Sequence, residues 1–249
     1  MSLGPGEADL MTPEARRALE LAEVVVGYSG YVDLVNPEFL QGKEVLSTGM
    51  RGEVERAGLA VDRAASGRNV AVVCSGDAGV YAMAGLLLEV MEARGLVQEG
   101  PEGLDFAVVP GVSALNAAAA LLGAPLMHDF ASISLSDLLT PWETIEKRLD
   151  AAASADFVIC LYNPRSTRRA DHLGRALEIV GRHRSPETPV GAVKRAYRTG
   201  QEVRVFRLDA VDQDFVDMRT TLIVGNSATR TAGRFLLTPR GYHQRYDVS

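Results

Sequence analysis

Short runs of β-branched residues alternate along this chain with longer segments rich in Ala, Leu, Glu and Arg. The short runs have the length and composition of buried strands, whereas the longer segments space their apolar residues as helices do. Such alternation is typical of α/β proteins with mostly parallel sheets. The predicted strands are residues 24–26, 70–74, 106–109, 157–161, 190–193 and 222–224. The predicted helices are residues 12–23, 51–65, 80–94, 113–122, 140–153 and 167–182.

The chain is predicted to form two α/β domains, residues 1–122 and residues 123–249. The boundary is placed at Leu122-Gly123-Ala124-Pro125, which follows an almost entirely apolar helix. Strand–helix alternation dominates before this point, and strands with fewer helices dominate after it. The run from Val203 onward is predicted to be more antiparallel, because its strands are joined by short turns.

Composition excludes several classes of protein. Of the 249 residues, 47% are hydrophobic and the net charge is only -6, so a disordered chain is excluded. No stretch approaches the roughly 18 apolar residues of a membrane span, and no charged-then-apolar leader opens the sequence. A net-acidic chain is a poor candidate for bulk nucleic-acid binding. We therefore expect a protein with no nucleic-acid or membrane partner.

The cysteines and histidines predict no metal site. Cys74 and Cys160 are far apart in the sequence, which makes a disulfide scaffold or a zinc finger unlikely and favours a reducing cytoplasm. The four histidines show no paired metal-ligand spacing. The chain also lacks the Gly-x-Gly-x-x-Gly, P-loop and Gly-x-Ser-x-Gly motifs. Chemistry driven by an activated cosubstrate therefore fits better than covalent or metal-assisted hydrolysis.

Two glycine-containing turns follow predicted strands, where open α/β sheets bind their ligands, and a third follows Met1-Ser2-Leu3, where the expected edge strand is nearly absent. They are Gly4-Pro5-Gly6, Ser75-Gly76-Asp77-Ala78-Gly79 and Pro110-Gly111-Val112-Ser113. Glycine lets the backbone approach a ligand closely because no Cβ intervenes. Asp77 either caps the following helix or accepts hydrogen bonds from a ligand. Ser113 has the same two interpretations, as a helix cap or as part of a polar ligand site.

Cationic and aromatic residues follow the later strands. Tyr162, Asn163 and Arg165 come directly after one buried run, and Arg195 follows the next. Asn226 with Arg230, and further on Arg240, repeat the pattern. We predict that these strand ends form a positive face for a flat anionic ligand, although Arg168 and Arg169 alone are as easily explained as solvated surface charges.

These turns, taken in order, resemble the tetrapyrrole methyltransferases. Within that family the chain is similar to the precorrin-3B C(17)-methyltransferase branch of cobalamin biosynthesis. The motifs that carry the resemblance are Gly4-Pro5-Gly6 with Met11-Thr12-Pro13, Ser75 to Tyr81, Pro110 to Ala114, Val26-Gly27-Tyr28 with Tyr31-Val32-Asp33, Ser47-Thr48-Gly49-Met50-Arg51, Leu126-Met127-His128-Asp129-Phe130, Ser134 to Trp142, Leu161 to Ser166, and Gly225-Asn226-Ser227.

The resemblance implies a homodimer whose two domains enclose a cleft for S-adenosylmethionine. It also implies methylation of ring carbon 17 of a precorrin, with contraction of the macrocycle. The implied cofactor contacts are Pro5, Ser75, Gly76, Asp77, Val80, Ser113, Ala114, Tyr162 and Ala196.

The substrate carries many carboxylates, which bidentate arginine pairing suits. The residues predicted to bind it are Arg51, Asn163, Arg165, Arg195 and Asn226. Ring contraction requires proton transfers, for which the candidates are Tyr28, His128 and Asp137. His128 is equally well explained as a structural histidine at the domain boundary.

Other interpretations remain open on sequence grounds. The first is a family member that acts on uroporphyrinogen or on the diphthamide precursor. The second is a nucleotide-dependent oxidoreductase, which the missing phosphate-binding glycine spacing disfavours. The third is a non-catalytic binding protein.

Overall fold

A computed structural model describes residues 1–98, 100, 103–166 and 169–247 of the chain. By its contacts the chain divides into two compact units, Met1–Ala114 and Leu115–Ser249. The division falls at the start of the helix Ala114–Leu122, whereas the domain boundary predicted from the sequence falls at the end of that helix.

The first unit is built around a parallel sheet with the strand order β2-β1-β3. Its strands are β1 (Val24–Tyr28), β2 (Glu44–Thr48) and β3 (Val70–Val73). Its α-helices are α1 (Pro13–Leu21), α2 (Ser29–Val32), α3 (Glu53–Ala65) and α4 (Ala84–Ala93), and its 3-10 helices are Ala8–Leu10 and Pro37–Leu40. The two sides of β1 enter different cores, because successive strand side chains point to opposite faces. Val25 packs in the core that α1 covers, and Val24 and Val26 pack in the core that α3 and α4 cover.

The N-terminal segment extends the sheet beyond β3. Leu3 N donates to Cys74 O at 2.8 Å, and Cys74 N donates to Met1 O at 3.0 Å. On the other side of this segment, Ser2 N donates to Val109 O at 3.2 Å. The predicted strand at residues 106–109 is wrong, because residues 104–113 form no regular strand. The reason is that the neighbour of this stretch is a segment of only a few residues, too short to build a ladder.

Helix boundaries in the first unit follow local chemistry. Thr12 caps α1 by accepting a hydrogen bond from Ala15 N at 3.1 Å, and Pro13 occupies the first turn. The helix predicted from residue 80 begins only at Ala84, because a turn precedes it in which Tyr81 has φ +51°. A left-handed residue cannot continue an α-helix, so the helix starts after it.

The second unit contains a five-stranded sheet with the order β5-β6-β9-β7-β8, and a small sheet with the order β10-β11-β4. Its helices are α5 (Ala114–Leu122, which begins at the last residue of the first unit), α6 (Trp142–Ser154) and α7 (His172–Gly181). Its strands are β4 (Gly123–Ala124), β5 (Phe130–Ser134), β6 (Val158–Tyr162), β7 (Pro189–Lys194), β8 (Glu202–Arg207), β9 (Thr220–Val224), β10 (Arg230–Ala232) and β11 (Phe235–Leu237), and its 3-10 helices are Leu208–Ala210 and Tyr242–Gln244. Residues 167 and 168, at the start of the predicted helix 167–182, lie outside the described residues.

Strand directions in the larger sheet are mixed. β5 and β6 pair in parallel, but β9 runs antiparallel to β6 and to β7, and β8 runs antiparallel to β7. The predicted antiparallel character after Val203 is therefore confirmed. As a consequence, the start of β9 lies beside the ends of β6 and β7, and the end of β9 lies beside their starts.

Helices cover both faces of this sheet. α6 and α7 pack on one face through Leu149, Leu173 and Val180, and α5 packs on the other through Leu115 and Leu122. α5 lies so close that a Cβ on Gly191 of β7 would stand 2.5 Å from Leu122 Cδ1 and 2.6 Å from Leu236 Cδ1. Glycine is therefore required at this position for packing.

None of the helices in the described part of the chain has the length and apolar content needed to cross a bilayer.

Candidate active site

The three predicted glycine-containing turns of the first unit meet at one place. Gly4 and Gly76 exchange backbone hydrogen bonds, Gly4 N to Gly76 O at 3.1 Å and Gly76 N to Gly4 O at 2.7 Å. Ser2 Oγ accepts from Ala78 N at 2.8 Å and donates to Val109 O at 2.6 Å. The N-terminal segment thus holds the turn after β3 and the turn at residues 110–111 together.

Asp77 ties two of these turns directly. Its Oδ1 accepts from Gly79 N at 2.8 Å, and its Oδ2 accepts from Gly111 N at 2.9 Å. The first bond is a local turn contact and not the helix cap considered from the sequence, because α4 begins only at Ala84 and has no side-chain cap. The second bond reaches a turn 34 positions away. Each carboxylate oxygen keeps a further lone pair, so Asp77 can orient the turns and still accept from a ligand.

The close approach of these turns depends on missing side chains. A Cβ on Gly111 would clash with Ser2 Cβ and stand 2.8 Å from Gly76 O. Gly76 itself has φ +73° and faces the start of α5, because a Cβ there would lie 3.5 Å from Ala114 N. Ser113, just before this helix, is buried, while Val80 beyond Gly79 exposes 37% of its surface. The backbone amides of these turns therefore lie near an exposed apolar side chain.

Tyr28 and Arg51 lie at the same edge of the first sheet. Tyr28 ends β1 opposite Thr48 of β2, and Arg51 follows β2 with φ +68° and an exposed side chain. The Tyr28 ring packs edge-on against Tyr31 with centroids 5.1 Å apart, and the Arg56 guanidinium lies 6.0 Å from its centroid. The parallel arrangement of β1, β2 and β3 therefore brings Tyr28, Arg51 and the turn after β3 to one edge.

In the second unit, Tyr162 and Asn163 end β6 next to β5. Tyr162 Oη accepts from Leu115 N at 2.8 Å, so the phenol satisfies one of the free amides at the start of α5. Asn163, at φ +51°, donates from Nδ2 to Ser134 Oγ at 3.0 Å. The edge formed by the ends of β5, β6 and β7 is called the carboxyl edge below.

Two predicted arginines lie at the carboxyl edge, and they differ in their hydrogen-bond partners. Arg165 donates from one nitrogen to Gln213 O and lies 3.0 Å from Asp214 Oδ1, so a neighbouring loop anchors it. Arg195, at φ +51° after β7, has its Nε buried with no hydrogen-bond partner among the described residues. Ala196 follows it and packs partly buried against the core under α5. An unpaired buried guanidinium nitrogen is costly unless a ligand uses it.

Asp137 is paired with a histidine that the sequence analysis did not consider. Asp137 Oδ2 lies 3.0 Å from His172 Nε2, at the start of α7. The His172 side chain is only 14% exposed and packs edge-on against Trp142, with ring centroids 4.4 Å apart. Desolvation raises the pKa of Asp137, but the His172 imidazole, a backbone hydrogen bond and the charge of Arg169 together outweigh it, so this pKa lies below its ordinary value. The carboxyl group is held ionised beside an imidazole.

His128 and Asn226 do not join this group, which corrects the prediction of a single cationic face. His128 precedes β5, and Asn226 follows β9, whose end lies beside Ile159 near the start of β6. Both residues therefore lie at the opposite edge of the sheet, called the amino edge below. The physical reason is the antiparallel direction of β9, which sends the residues after it away from those after β6 and β7.

The same reversal brings in residues that the sequence analysis missed. Thr220 and Thr221 begin β9 and pair with Lys194 and Val193 at the end of β7. Both threonines are buried, and Arg195 N donates to Arg219 O just before them at 3.0 Å. The sequence does show two hydroxyl residues at the start of an apolar run. They could not be assigned to this edge of the sheet until the direction of the strand was known.

Left-handed backbone conformations concentrate beyond the strand ends in both units. The non-glycine residues with positive φ are Arg51, Tyr81, Asp156, Asn163, Arg195 and Tyr197. All except Asp156 follow a strand at the edge where the predicted site residues lie. Such conformations cost energy and tend to accumulate at functional sites. Among the described residues, no cluster of three or more His, Cys, Asp or Glu side chains is placed to hold a metal ion.

Comparison with known proteins identifies the family of this chain. The family model described as Tetrapyrrole (Corrin/Porphyrin) Methylases matches residues 1–212. The chain is 49% identical over 242 residues to a "Probable cobalt-factor III C(17)-methyltransferase" of Salmonella typhimurium, covering 97% of this chain and 98% of that protein. It is 47% identical over 249 residues to a "Cobalt-factor III methyltransferase" of Priestia megaterium, covering all of this chain and 46% of that protein. The chain thus spans about half the length of the Priestia relative.

A solved structure shares the whole fold. The crystal structure of the methyltransferase CobJ superposes with a TM-score of 0.90 at 42% sequence identity, over 96% of this chain and 97% of that one. The predicted α/β fold and the predicted methyltransferase class are confirmed by these relatives and by the family model. This chain belongs to the tetrapyrrole (corrin/porphyrin) methylases.

Proposed function

We propose that this methyltransferase transfers a methyl group from S-adenosylmethionine to ring carbon 17 of a cobalt-containing precorrin-type macrocycle, with contraction of the ring. The observation that carries the proposal is the identity of 47–49% to relatives named for cobalt-factor III. A metal-free precorrin is the second candidate substrate, because the ordered motifs resemble the precorrin-3B branch.

The turns of the first unit fit the cofactor. S-adenosylmethionine, when bound, supplies a methyl group on a positively charged sulfur. The backbone around Gly76 and Gly111 has no side chain to exclude a ligand, and Asp77 offers acceptor lone pairs for hydroxyl or amine hydrogens. Exposed Val80 offers apolar contact. Pro5 and Ser75 flank the same turns, and we propose them as further contacts together with Ser113 and Ala114.

At the carboxyl edge of the second unit, we propose Tyr162 and Ala196 as further cofactor contacts. Thr221 begins β9, which lies between β6 and β7, and we add it to the set because its backbone lies at the same edge. In-line methyl transfer depends mainly on alignment and on exclusion of water. Strand ends position groups for alignment better than a mobile loop, because the sheet holds their backbone.

The proposed substrate carries carboxylates, and the arginines supply the matching charge. Arg195 has an unpaired buried Nε, and Arg165 is pre-oriented by the loop at residues 213–214. Asn163 adds an amide held by Ser134. In the first unit, exposed Arg51 fulfils the same role. Bidentate arginine pairing with carboxylates gives geometric selectivity as well as binding energy.

For the proton transfers of ring contraction, we propose the Asp137–His172 pair. The pKa of Asp137 lies below its ordinary value, which keeps the carboxylate ionised, and its Oδ2 lies 3.0 Å from Nε2 of His172. A carboxylate beside an imidazole offers two groups that can accept or donate a proton during a reaction. Tyr28 is the proposed alternative donor.

We further propose a cytoplasmic homodimer of two-domain subunits, as the family resemblance implies. The two free, buried cysteines are compatible with a reducing compartment. Sedimentation of the purified protein tests the dimer, since a single species of monomer mass at micromolar concentration contradicts it.

The proposed reaction is tested by incubating the protein with S-adenosylmethionine and a panel of tetrapyrroles. We expect mass spectrometry to detect a macrocycle one methyl group heavier, and faster turnover of cobalt-factor III than of metal-free precorrin-3B. Turnover of uroporphyrinogen alone would reject the proposed substrate but keep the family. Failure of calorimetry to detect S-adenosylhomocysteine binding would favour a non-catalytic protein, and NAD binding would favour an oxidoreductase.

A further inference from the structure

A cleft of about 670 Å³ opens at the amino edge of the five-stranded sheet, within the second unit. Its lining includes His128, Asp156, Asn226, Arg230 and Arg240. The volume falls in the range of roughly 300–1,000 Å³ that is typical of small-molecule sites. The proposed methyl-transfer residues do not explain it.

Asn226 presents a free donor to this cleft. The residue is only 5% exposed. Its Oδ1 accepts from Ala228 N at 3.1 Å and from Thr229 Oγ1 at 3.0 Å, and these bonds fix the orientation of the amide. Nδ2 makes no hydrogen bond to the described residues, so it remains available. A buried amide group held in this way is preorganised to donate to an acceptor in the cleft.

Two guanidinium groups flank the cleft without carboxylate partners. Arg230 begins β10 opposite Leu237, and the hydroxyls of Thr229 and Thr238 lie 2.8 Å apart beside it. Arg240 follows shortly after Thr238, so both arginines belong to the same end of the β10–β11 hairpin. Neither forms an ion pair with any described residue. Unpaired arginines beside a polar cleft favour carboxylate or phosphate ligands.

His128 adds another donor. Its Nδ1 accepts a hydrogen bond from Asp129 N at 2.9 Å, which assigns the proton of the neutral ring to Nε2. Half of the side chain is exposed, at 50%, and the residue lines the cleft. The histidine that the sequence offered as an acid–base candidate therefore has a different geometric role.

The carboxylate of Asp156 is already used and does not oppose an anion. Its Oδ1 accepts from Ser227 N at 2.9 Å, and its Oδ2 accepts from Ser227 Oγ at 2.6 Å. The buried guanidinium of Arg184 lies 3.3 Å from Oδ1. These contacts compensate the charge of the carboxylate and hold the turn that carries Asn226. The lining also includes the carboxylate of Asp129, whose side chain is 80% exposed and lies 3.6 Å from His128 Nδ1. The two arginines of the cleft therefore outnumber the one carboxylate that no arginine compensates.

The cleft is separate from the proposed methyl-transfer residues of this unit. β6 runs between the two edges, from the residues beside Asp156 to Tyr162. At roughly 3.3 Å per residue this strand separates the edges by about 15 Å. One small ligand cannot contact Asn226 and Asn163 together.

We propose that this amino-edge cleft binds a small polyanion that carries at least two carboxylate or phosphate groups. Asn226, Arg230, Arg240 and His128 supply the donors. The proposal does not rest on the proposed methylation, because it concerns a different edge of the sheet.

Calorimetric titration of the full chain tests this site, with citrate as the carboxylate probe and inorganic pyrophosphate as the phosphate probe. Both titrations are made with saturating S-adenosylhomocysteine present, which excludes competition at the proposed cofactor site. We expect at least one probe to bind with a Kd below about 1 mM, and the stronger of the two identifies the ligand chemistry. Loss of one charge-assisted hydrogen bond should weaken binding of that probe about tenfold or more.

The variants are Arg230→Gln, Arg240→Gln and Asn226→Asp. The last is isosteric, keeps the acceptor for Ala228 N and replaces the free donor by a negative oxygen. Arg234→Gln is the matched control, since Arg234 lies in the turn of the same hairpin with its guanidinium 4.8 Å from the Phe235 ring. Weaker binding in the three variants but not in the control supports the site. No binding of either probe below 10 mM, or equal binding in all variants, overturns it.

Discussion

The two units place polar turns beyond their strands in the same way, but their sheets differ in direction. In the first unit β1, β2 and β3 are parallel, so every residue that follows a strand lies at one edge. In the second unit β9 is reversed, so residues that follow strands are divided between two edges. The residues that follow strands therefore share one edge in the first unit, whereas in the second unit they belong to two opposite edges.

The largest effect is expected from Gly111→Ala, which tests whether the convergence of turns in the first unit depends on a missing Cβ. The added methyl group clashes with Ser2 and with Gly76 O, so the turns must separate. We expect the free energy of unfolding to fall by about 1–3 kcal/mol. Affinity for S-adenosylhomocysteine, measured by calorimetry, should fall more than a hundredfold.

Gly85→Ala is the control for this substitution. Gly85 lies in α4, and a Cβ there has no neighbouring atom within 4 Å. Alanine in a helix interior should raise stability by about 0.5–1 kcal/mol and leave cofactor affinity unchanged. Similar loss of affinity in both variants would contradict a specific role of the turns.

The next effect is that of Asp77→Ala, which removes the acceptors that join Gly79 and Gly111. We expect affinity for S-adenosylhomocysteine to fall about ten- to hundredfold, since hydrogen bonds to charged groups contribute about 1.5–3 kcal/mol. Asp62→Ala is the control, because Asp62 makes only a surface ion pair with Arg94. Unchanged affinity in the Asp77 variant would show that this residue only holds the turns and does not contact the cofactor.

The division of the second unit predicts opposite outcomes for two asparagines. Asn163→Ala should lower the rate of methyl transfer about tenfold, because Asn163 lies at the carboxyl edge and its amide is held by Ser134. Asn226→Ala should leave kcat/KM within about twofold and lower stability by about 1–2 kcal/mol, through the lost bonds of its turn. Steady-state kinetics and urea unfolding measure both. An equal loss of activity in the two variants would remove the distinction between the edges.

The smallest effect concerns the cysteines, one in each unit. Burial raises the pKa of both thiols, but the N-terminal charge, a hydrogen bond with the Met83 backbone and the charge of Arg56 partly offset this for Cys74. Cys74 should therefore react faster than Cys160 with a thiol reagent at pH 8, although both react slowly in the folded protein. The same shifts predict how stability depends on pH. Above about pH 9 the thiols of the unfolded chain ionise while those of the folded protein stay neutral, so the free energy of unfolding should fall as pH rises. Faster labelling of Cys160, followed by mass spectrometry, would contradict this order.

The fold of the first unit was largely predictable, since its apolar runs and caps are local signals. Thr12 and Pro13 start α1 as expected, and β1 and β3 lie where the valine runs predict them. The misplaced start of α4 and the missing strand at residues 106–109 have another origin. The start of α4 depends on the left-handed conformation of Tyr81. The absence of a strand at residues 106–109 depends on the small number of backbone hydrogen bonds that the neighbouring N-terminal segment forms. Neither property is visible in composition or periodicity.

In the candidate site, the motif residues were predictable but their partners were not. Asp77 was recognised from its turn, but its bond to Gly111 joins residues far apart in sequence. His172 was missed because nothing in its local sequence marks it, and its role follows from contact with Asp137 and Trp142. Thr221 was missed because its strand is reversed.

The sequence by itself determined the α/β class, the family and the glycine-containing turns, because these depend on hydrophobic period, on residue type and on short motifs. The tertiary structure decided which strand ends share an edge, because strand direction is set by long-range pairing that local sequence does not encode. It thereby moved Asn226 and His128 from the proposed active site to a separate cleft, and it gave Asp137 its histidine partner.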